Sequence, residues 1–314
     1  MSEKPNLIVI TGPTATGKTA LGVAVAKALD GEVIGADSMQ IYRRMDIGTA
    51  KPTLSEMEGV PHHMIDVADP AEQYSVSRYV EQATAVVDDV LRRGKVPVVV
   101  GGTGLYIDSL VAGREFAEAQ TDPRLRQLLE QQYQIYGGDA MRAMLHSFDP
   151  ERAEKLHPAD KRRIVRAIEV YLLSGDTITA HDEKTRAVPK RYNALKYALE
   201  FTERADLYRR IDLRVDRMEV QGLFDEVQAL LDEGVPDDCT AMQAIGYKEA
   251  VQALRGNATR EEALFKIKQS SRQYAKRQLT WLRRDKELRW IRWQGTPEIP
   301  AAARQIAADW KALR

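Results

Sequence analysis

Short, unbroken apolar runs closed by turn signals set the pattern of the first third of the chain. Leu7-Ile8-Val9-Ile10 lies inside a candidate strand from Asn6 to Thr11, and similar runs occur at Glu32 to Ala36 and Val96 to Val100. Runs of this length without alternation suit strands buried on both faces. After the first run, Leu21, Ala24, Val25, Ala28 and Leu29 recur at helical spacing. A long helix from about Ser75 to Arg93 separates the second and third strands, with Gly94 and Pro97 as its stop signals. This alternation predicts an α/β fold, a parallel sheet with helices on its faces.

From about Glu115 to Lys190 the strand-like runs disappear. Thr121-Asp122-Pro123 is a helix start with proline at the first helical position, and Asp149-Pro150-Glu151 and His157-Pro158-Ala159-Asp160 punctuate further helices. The pattern predicts an all-helical insertion over 116–190, set into an α/β core made of 1–115 and 191–314. Leu195 to Phe201 returns as a strand, Leu288 to Trp293 is a late strand, and most of the remainder reads as helix. Gly175 to Pro189 is polar and turn-prone, which predicts a mobile loop.

Composition narrows the class without naming it. A chain of 314 residues with 44% hydrophobic and 29% charged residues has ample material for a core. The first residues lack the basic and apolar regions of a signal peptide, and no apolar run approaches a membrane span. Cys239 is the single cysteine, so an intrachain disulfide and a cysteine-rich metal site are both excluded. These features point to a cytoplasmic protein with no membrane partner. Formal net charge is zero, so nucleic-acid binding would have to come from local basic surfaces.

The strongest chemical signal is Gly12-Pro13-Thr14-Ala15-Thr16-Gly17-Lys18-Thr19, which fits the phosphate-loop (P-loop) pattern G-x-x-x-x-G-K-[ST] between a strand and a helix. Such a loop surrounds an anion with backbone N–H groups, the helix dipole pointing the same way. Lys18 adds a point charge, and the Thr19 hydroxyl is a Mg²⁺ ligand candidate. Alone, the motif indicates ATP or GTP. Asp37 and Ser38 follow the second strand, where α/β sheets bind ligands. Asp37 is either a proton acceptor, a holder of Mg²⁺ through water, or a helix cap. The third strand runs into Gly101-Gly102-Thr103-Gly104. Nucleotide hydrolases of this type carry an acidic residue there, so simple ATP or GTP hydrolysis is disfavoured. Thr103 is a ligand-facing hydroxyl or a cap.

Three further clusters stand out. The adjacent pair His62-His63 lacks the spacing of a helical metal site and reads as a structural loop. Arg210, Arg214 and Arg217 fall at i, i+4 and i+7 of one helix, with Asp206, Asp212 and Asp216 available to pair with them. They are either a solvated, salt-bridged face or a clamp on a diphosphate. Lys161-Arg162-Arg163-Ile164-Val165-Arg166 opens one basic helix. Glu261 to Lys286 carries eight Lys/Arg against three acids, with Lys268, Arg272 and Lys276 on one stripe continued at Arg283. Two basic helices in a chain of zero net charge suggest phosphate-backbone contacts, with solvated helix faces as the alternative.

Nearly end to end, the chain resembles the tRNA dimethylallyltransferase family, also called tRNA isopentenyltransferases. The resemblance rests on GPTATGKT at 12–19, ADSMQIYRRMDIGTAKP at 36–52, PHHMIDV at 61–67 and VVGGTGLY at 99–106. It continues in HPADKRRIVRAIEVY at 157–171, LYRRIDLRVDRM at 207–218, AIGYKE at 244–249 and RQYAKRQLTWLRR at 272–284. It implies that the loop holds the diphosphate of dimethylallyl diphosphate, with Mg²⁺, and that the prenyl group goes to N6 of the adenosine 3′ of the anticodon. It further implies that Asp37 is the general base, Thr103 an active-site contact, and Arg217, with Arg214, the diphosphate clamp. Segments 37–40 (Asp37, Ser38, Met39, Gln40), 161–165 and 273–280 (including Gln273, Lys276, Arg277 and Thr280) would line the RNA path, with Arg126 and Gln243. The insertion would grip the anticodon stem of the tRNA, and the expected state is a monomer. The readings that compete with it are a P-loop kinase of a small molecule or nucleotide, and a nucleotide-regulated RNA-binding protein without catalysis.

Overall fold

The computed structural model describes residues 4–114, 122–187 and 189–313, and separates into two compact units, Met1–Gly113 with Arg191–Arg314, and Arg114–Lys190. The first unit begins β1 (Asn6–Thr11), α1 (Lys18–Leu29), β2 (Gly31–Gly35), α2 (Leu54–Met57), β3 (His62–His63), α3 (Val76–Arg92), β4 (Val96–Gly101) and α4 (Gly104–Ala112). The second unit holds α5 (Pro123–His146), α6 (Pro150–Lys155), α7 (Lys161–Ser174) and α8 (Ile178–Ala187). The first unit then resumes with β5 (Asn193–Phe201), α9 (Arg204–Val220), α10 (Leu223–Asp232), α11 (Tyr247–Leu254), α12 (Arg260–Leu282), β6 (Arg289–Trp293) and α13 (Ile299–Lys311).

The six strands form one parallel sheet in the order β3-β2-β4-β1-β5-β6. β1 sits between β4 and β5, and its residues from Leu7 onward are all buried. Ile8, Ile10, Val98, Leu195 and Tyr197 pack with Leu21 and Val25 of α1 and with Ile306 and Trp310 of α13. Burial on both faces explains why the strands read as continuous apolar runs. Chain order reverses between β1 and β4, so the loops leaving these two strands flank the crevice where such sheets bind ligands.

Two expectations are corrected here. His62-His63 is a two-residue edge strand, parallel to β2, not a loop. His63 Nε2 lies 2.7 Å from Glu32 Oε2, and Arg93 forks onto the same buried carboxylate. The Arg93 hydrogen bond is the largest influence holding Glu32 down at about 2. Residues 178–187 of the expected mobile loop are helical. Gly175 ends α7 in the left-handed region, and α8 is tied down where Thr179 Oγ1 donates to Asp149 Oδ1 at 2.6 Å and Arg152 pairs with Asp182. Those anchors are nonlocal, so the polar local pattern did not reveal them.

In the insertion, Asp122 accepts from the Arg124 and Leu125 N–H groups, with Pro123 in the first turn; Thr121 lies outside the described residues. Asp149 caps α6 in the same way. The insertion core gathers Leu129, Met141, Leu145, Ile164, Val165 and Ile168.

Candidate active site

Gly12 to Thr19 closes around itself before α1 begins. Gly17 caps α1 at φ 90°, a conformation that strains any residue with a Cβ. The Thr16 hydroxyl donates to the Pro13 carbonyl at 2.8 Å, and Lys18 Nζ donates to the same oxygen at 2.7 Å. Trp293 Nε1 holds the Thr16 carbonyl at 3.0 Å. Gln278, a buried residue of α12, accepts from Thr14 N at 3.0 Å and donates to the Gly102 carbonyl at 2.9 Å, joining the loops after β1 and β4. Burial lowers the Lys18 pKa to about 8; Asp37 opposes that shift and Arg214 adds to it.

The loops after β2 and β4 meet at Asp37 and Thr103. Gly101 permits this approach, because a Cβ there would lie 2.1 Å from the Ala36 carbonyl oxygen. Thr103 precedes α4 but makes no side-chain cap. Its hydroxyl accepts from Ser38 N at 3.0 Å. No helix begins at Asp37 either, so the capping alternatives fall for both residues. Asp37 Oδ1 accepts from Met39 N at 2.9 Å, and Oδ2 has no hydrogen-bond partner among the described residues. Asp37 is an electrostatic neighbour of Lys18, Arg214, Tyr106 and Tyr274. Tyr274 lies against Thr103, and burial, then Asp37, pushes its phenol up to about 12.

The arginine face of α9 is not the salt-bridged surface its flanking aspartates suggested. Asp206 pairs with Arg209, Asp212 with Arg272 and Asp216 with Lys268. Arg210, Arg214 and Arg217 therefore have no carboxylate at ion-pair distance among the described residues. Arg210 Nε donates to the Ala15 carbonyl of the phosphate loop at 2.9 Å, and Arg214 Nη2 to the Thr49 carbonyl at 3.1 Å. Arg217 is exposed on the same face, beyond Arg214. Burial lowers the pKa values of Arg210 and Arg214.

The same ion pairs correct the expected basic stripe on α12. Lys268 and Arg272 are tied to α9, leaving Lys276, Arg277, Gln273 and Thr280 as its exposed polar residues near Tyr274. In the insertion, Ile164 and Val165 are 0% and 2% exposed, so their side chains belong to the core. The cations of the segment 161–165 lie outside that core, Lys161 3.8 Å from Glu130 and Arg163 3.7 Å from Asp160, with Arg162 exposed. Arg126 pairs with the buried Glu169 at 2.6 Å. Gln40 Nε2 is engaged by the Thr49 and Ala50 carbonyls, and Gln243 is exposed with its amide on the Asp237 carbonyl.

Tyr274 and Gln278 fall inside the segment 273–280, but neither was singled out by name. Tyr274 and Gln278 are one helical turn apart, on the same face as the buried Ala275 and Leu282. A glutamine on an apolar helix face must find partners, and that was the available signal.

The parallel sheet, with a phosphate-loop motif between β1 and α1, defines an α/β protein of the P-loop type. The IPP transferase family model matches residues 40–285 and the isopentenyl transferase model residues 5–74. A tRNA dimethylallyltransferase of Desulforudis audaxviator is 48% identical over 98% of this chain and 99% of its own. The full-length tRNA isopentenylpyrophosphate transferase of Bacillus halodurans aligns over 99% of this chain and 98% of its own, at 41% identity and TM-score 0.73. A eukaryotic dimethylallyltransferase acting on tRNA aligns over 99% of this chain and 80% of its own, at 29% identity and TM-score 0.82. The chain belongs to the IPP transferase family, the prenyltransferases of tRNA.

Proposed function

We propose that the enzyme transfers the dimethylallyl group of dimethylallyl diphosphate to N6 of the adenosine immediately 3′ of the anticodon, in tRNAs that read codons beginning with U. The observation that carries this reading is Asp37, a carboxylate with one unpartnered oxygen beside Lys18, Arg214 and Tyr274. An exocyclic adenine amine is a weak nucleophile, because its lone pair is delocalised into the ring. It has to be drawn out of the loop stack, held in line with the allylic carbon and relieved of a proton. Asp37 accepts that proton while the N6–carbon bond forms. The carbon–oxygen bond breaks with its electron pair going to diphosphate. Loop amides, Lys18, Arg210 and Arg214 stabilise the departing charge, and Arg217 closes on its outer phosphate. Thr103 and Tyr274 hold the two loops around the acceptor.

No cluster of three or more His, Cys, Asp or Glu side chains able to hold a metal occurs among the described residues. Mg²⁺ would enter with the diphosphate, with the Thr19 hydroxyl as its ligand from the protein beside phosphate oxygens and water. Mg²⁺ so bound would neutralise charge on the leaving group. The tRNA contacts are assigned to Ser38, Met39, Gln40, Gln243 and the exposed residues of α12, with Lys161, Arg162, Arg163 and Arg126 contributed by the insertion to the anticodon stem. No helix among the described residues is long and apolar enough to cross a membrane. We assign the enzyme to the cytoplasm, as a monomer.

Incubation with bulk tRNA and labelled dimethylallyl diphosphate, followed by nucleoside analysis, should yield labelled N6-(dimethylallyl)adenosine. Label reaching RNA only from ATP would reject the reading in favour of a kinase. Within the RNA surface, Lys276→Gln with Arg277→Gln should lower the salt slope of tRNA affinity by about 1.4, on the basis of two single-strand phosphate contacts. Lys268→Gln with Arg272→Gln should leave it nearly unchanged, because those cations are held by Asp216 and Asp212. Equal slopes for the two double variants would refute this division of the helix.

A further inference from the structure

Glu226 belongs to none of the motifs that carry the family resemblance, yet its carboxylate is among the most fully engaged in the catalytic unit. It projects from α10 into three consecutive backbone N–H groups. Asp46 N and Ile47 N each donate to Oε2 at 2.8 Å, and Gly48 N donates to Oε1 at 3.1 Å. The hydroxyl of Tyr247, a fully buried residue at the start of α11, donates to Oε1 at 2.6 Å. Gly48 has to be glycine for this packing, since a Cβ would lie 2.4 Å from the Tyr247 ring.

The loop gripped in this way is one wall of the site. Ala50 N returns to the Ile47 carbonyl and Lys51 N to the Asp46 carbonyl, both at 2.9 Å, so the turn is rigid from Asp46 to Lys51. Its Thr49 carbonyl is the hydrogen-bond partner of Arg214 Nη2. Arg214 has no carboxylate at ion-pair distance among the described residues, Asp37 and Glu56 acting on it only through their charge, so the hydrogen bond that aims it is to a neutral carbonyl on a fixed loop. Neutral anchoring leaves the full positive charge and the remaining N–H donors of the guanidinium for an anionic ligand. A carboxylate at Thr49 would have neutralised that charge. One turn of chain separates the anion that organises the loop from the cation that serves the substrate.

We infer that Glu226 and Tyr247 are positioning residues for the transfer reaction, acting by fixing the 46–50 turn whose Thr49 carbonyl orients Arg214. The inference rests on the assignment of Arg214 to the diphosphate. Its effect belongs in donor binding, because an arginine free to wander has to be ordered again each time diphosphate arrives.

The test is a double-mutant cycle read by steady-state kinetics, with dimethylallyl diphosphate varied at saturating tRNA. Glu226→Gln keeps the size of the side chain but turns an amide N–H toward backbone donors. It should raise the donor KM about tenfold in the wild-type background and less than about twofold in an Arg214→Ala background. A change of the same size in both backgrounds would overturn the inference, since a general loss of loop structure has no reason to vanish with Arg214. If Arg214→Ala alone leaves the donor KM unaltered, the diphosphate assignment fails, and this inference fails with it. Should Glu226→Gln not fold, Tyr247→Phe removes a single hydrogen bond and runs through the same cycle. Its expected effect is about threefold in the wild-type background and none with Arg214→Ala, and equal effects would again count against the proposal.

Discussion

Asp37→Ala is expected to slow prenyl transfer by about a thousandfold while tRNA affinity stays within a few-fold, in the middle of the range for loss of a general base. Two atoms of the carboxylate have separate duties. Oδ1 fixes the turn through Met39 N, and Oδ2 is unpartnered among the described residues. Asp37→Asn separates them, because an amide oxygen still accepts from Met39 N but cannot take a proton from the adenine amine. Single-turnover transfer with saturating donor is the measurement. Both variants should be equally slow, with near-normal tRNA binding. An Asp37→Asn enzyme within tenfold of wild type would remove proton acceptance from this residue and leave it a turn former.

Lys18→Ala is expected to have the next largest effect, with kcat/KM for dimethylallyl diphosphate reduced by roughly a hundredfold or more. Lys18 also predicts a pH dependence. In the free site its pKa is lowered to about 8, burial being the first cause. A bound diphosphate raises it, so binding takes up a proton. Affinity for the donor is therefore full below about pH 7 and falls as pH rises through 8, by up to about tenfold per unit. Titration of donor binding between pH 7 and 9.5 should show this decline in wild type and lose it in Lys18→Ala. A decline that persists in the variant would assign the proton to another group.

The contrast between what was readable in the sequence and what was not follows the range of the interactions. Five strands were legible because burial on both faces demands continuous apolar runs, and the P-loop because its spacing is dictated by the shape of a phosphate. β3 was not legible: two residues carry no period, and His63 is held there by Glu32 across the sheet. α8 was hidden because its fixing contacts come from Asp149, the cap of α6, and from Arg152 on α6. At the site, the recognisable motifs marked which loops to examine, but not how the charges around them pair. Whether Arg210 or Lys268 is available to a ligand depends on where Asp212 and Asp216 point, and only the packing of α9 against α12 decides that. Gln278 and Glu226 act on backbone groups far away in sequence, so no local pattern marks them.

The position of β1 has a consequence for how the chain acquires its structure. Asn6 and Asn193 are neighbours in the sheet although 187 residues separate them. On the ribosome, the centre of the catalytic sheet therefore waits with one side open until the insertion has been synthesised. The α5–α8 unit has its own apolar core and local contacts, so it can form during that wait. Within the catalytic unit, the chain leaves after α4 and returns before β5 at one place, where Tyr192 N donates to the Val111 carbonyl at 3.3 Å. That contact forms only once the chain has returned, so it carries the entropy of closing the whole loop between the two residues. The catalytic sheet is thus completed late, by the strands that follow its interruption.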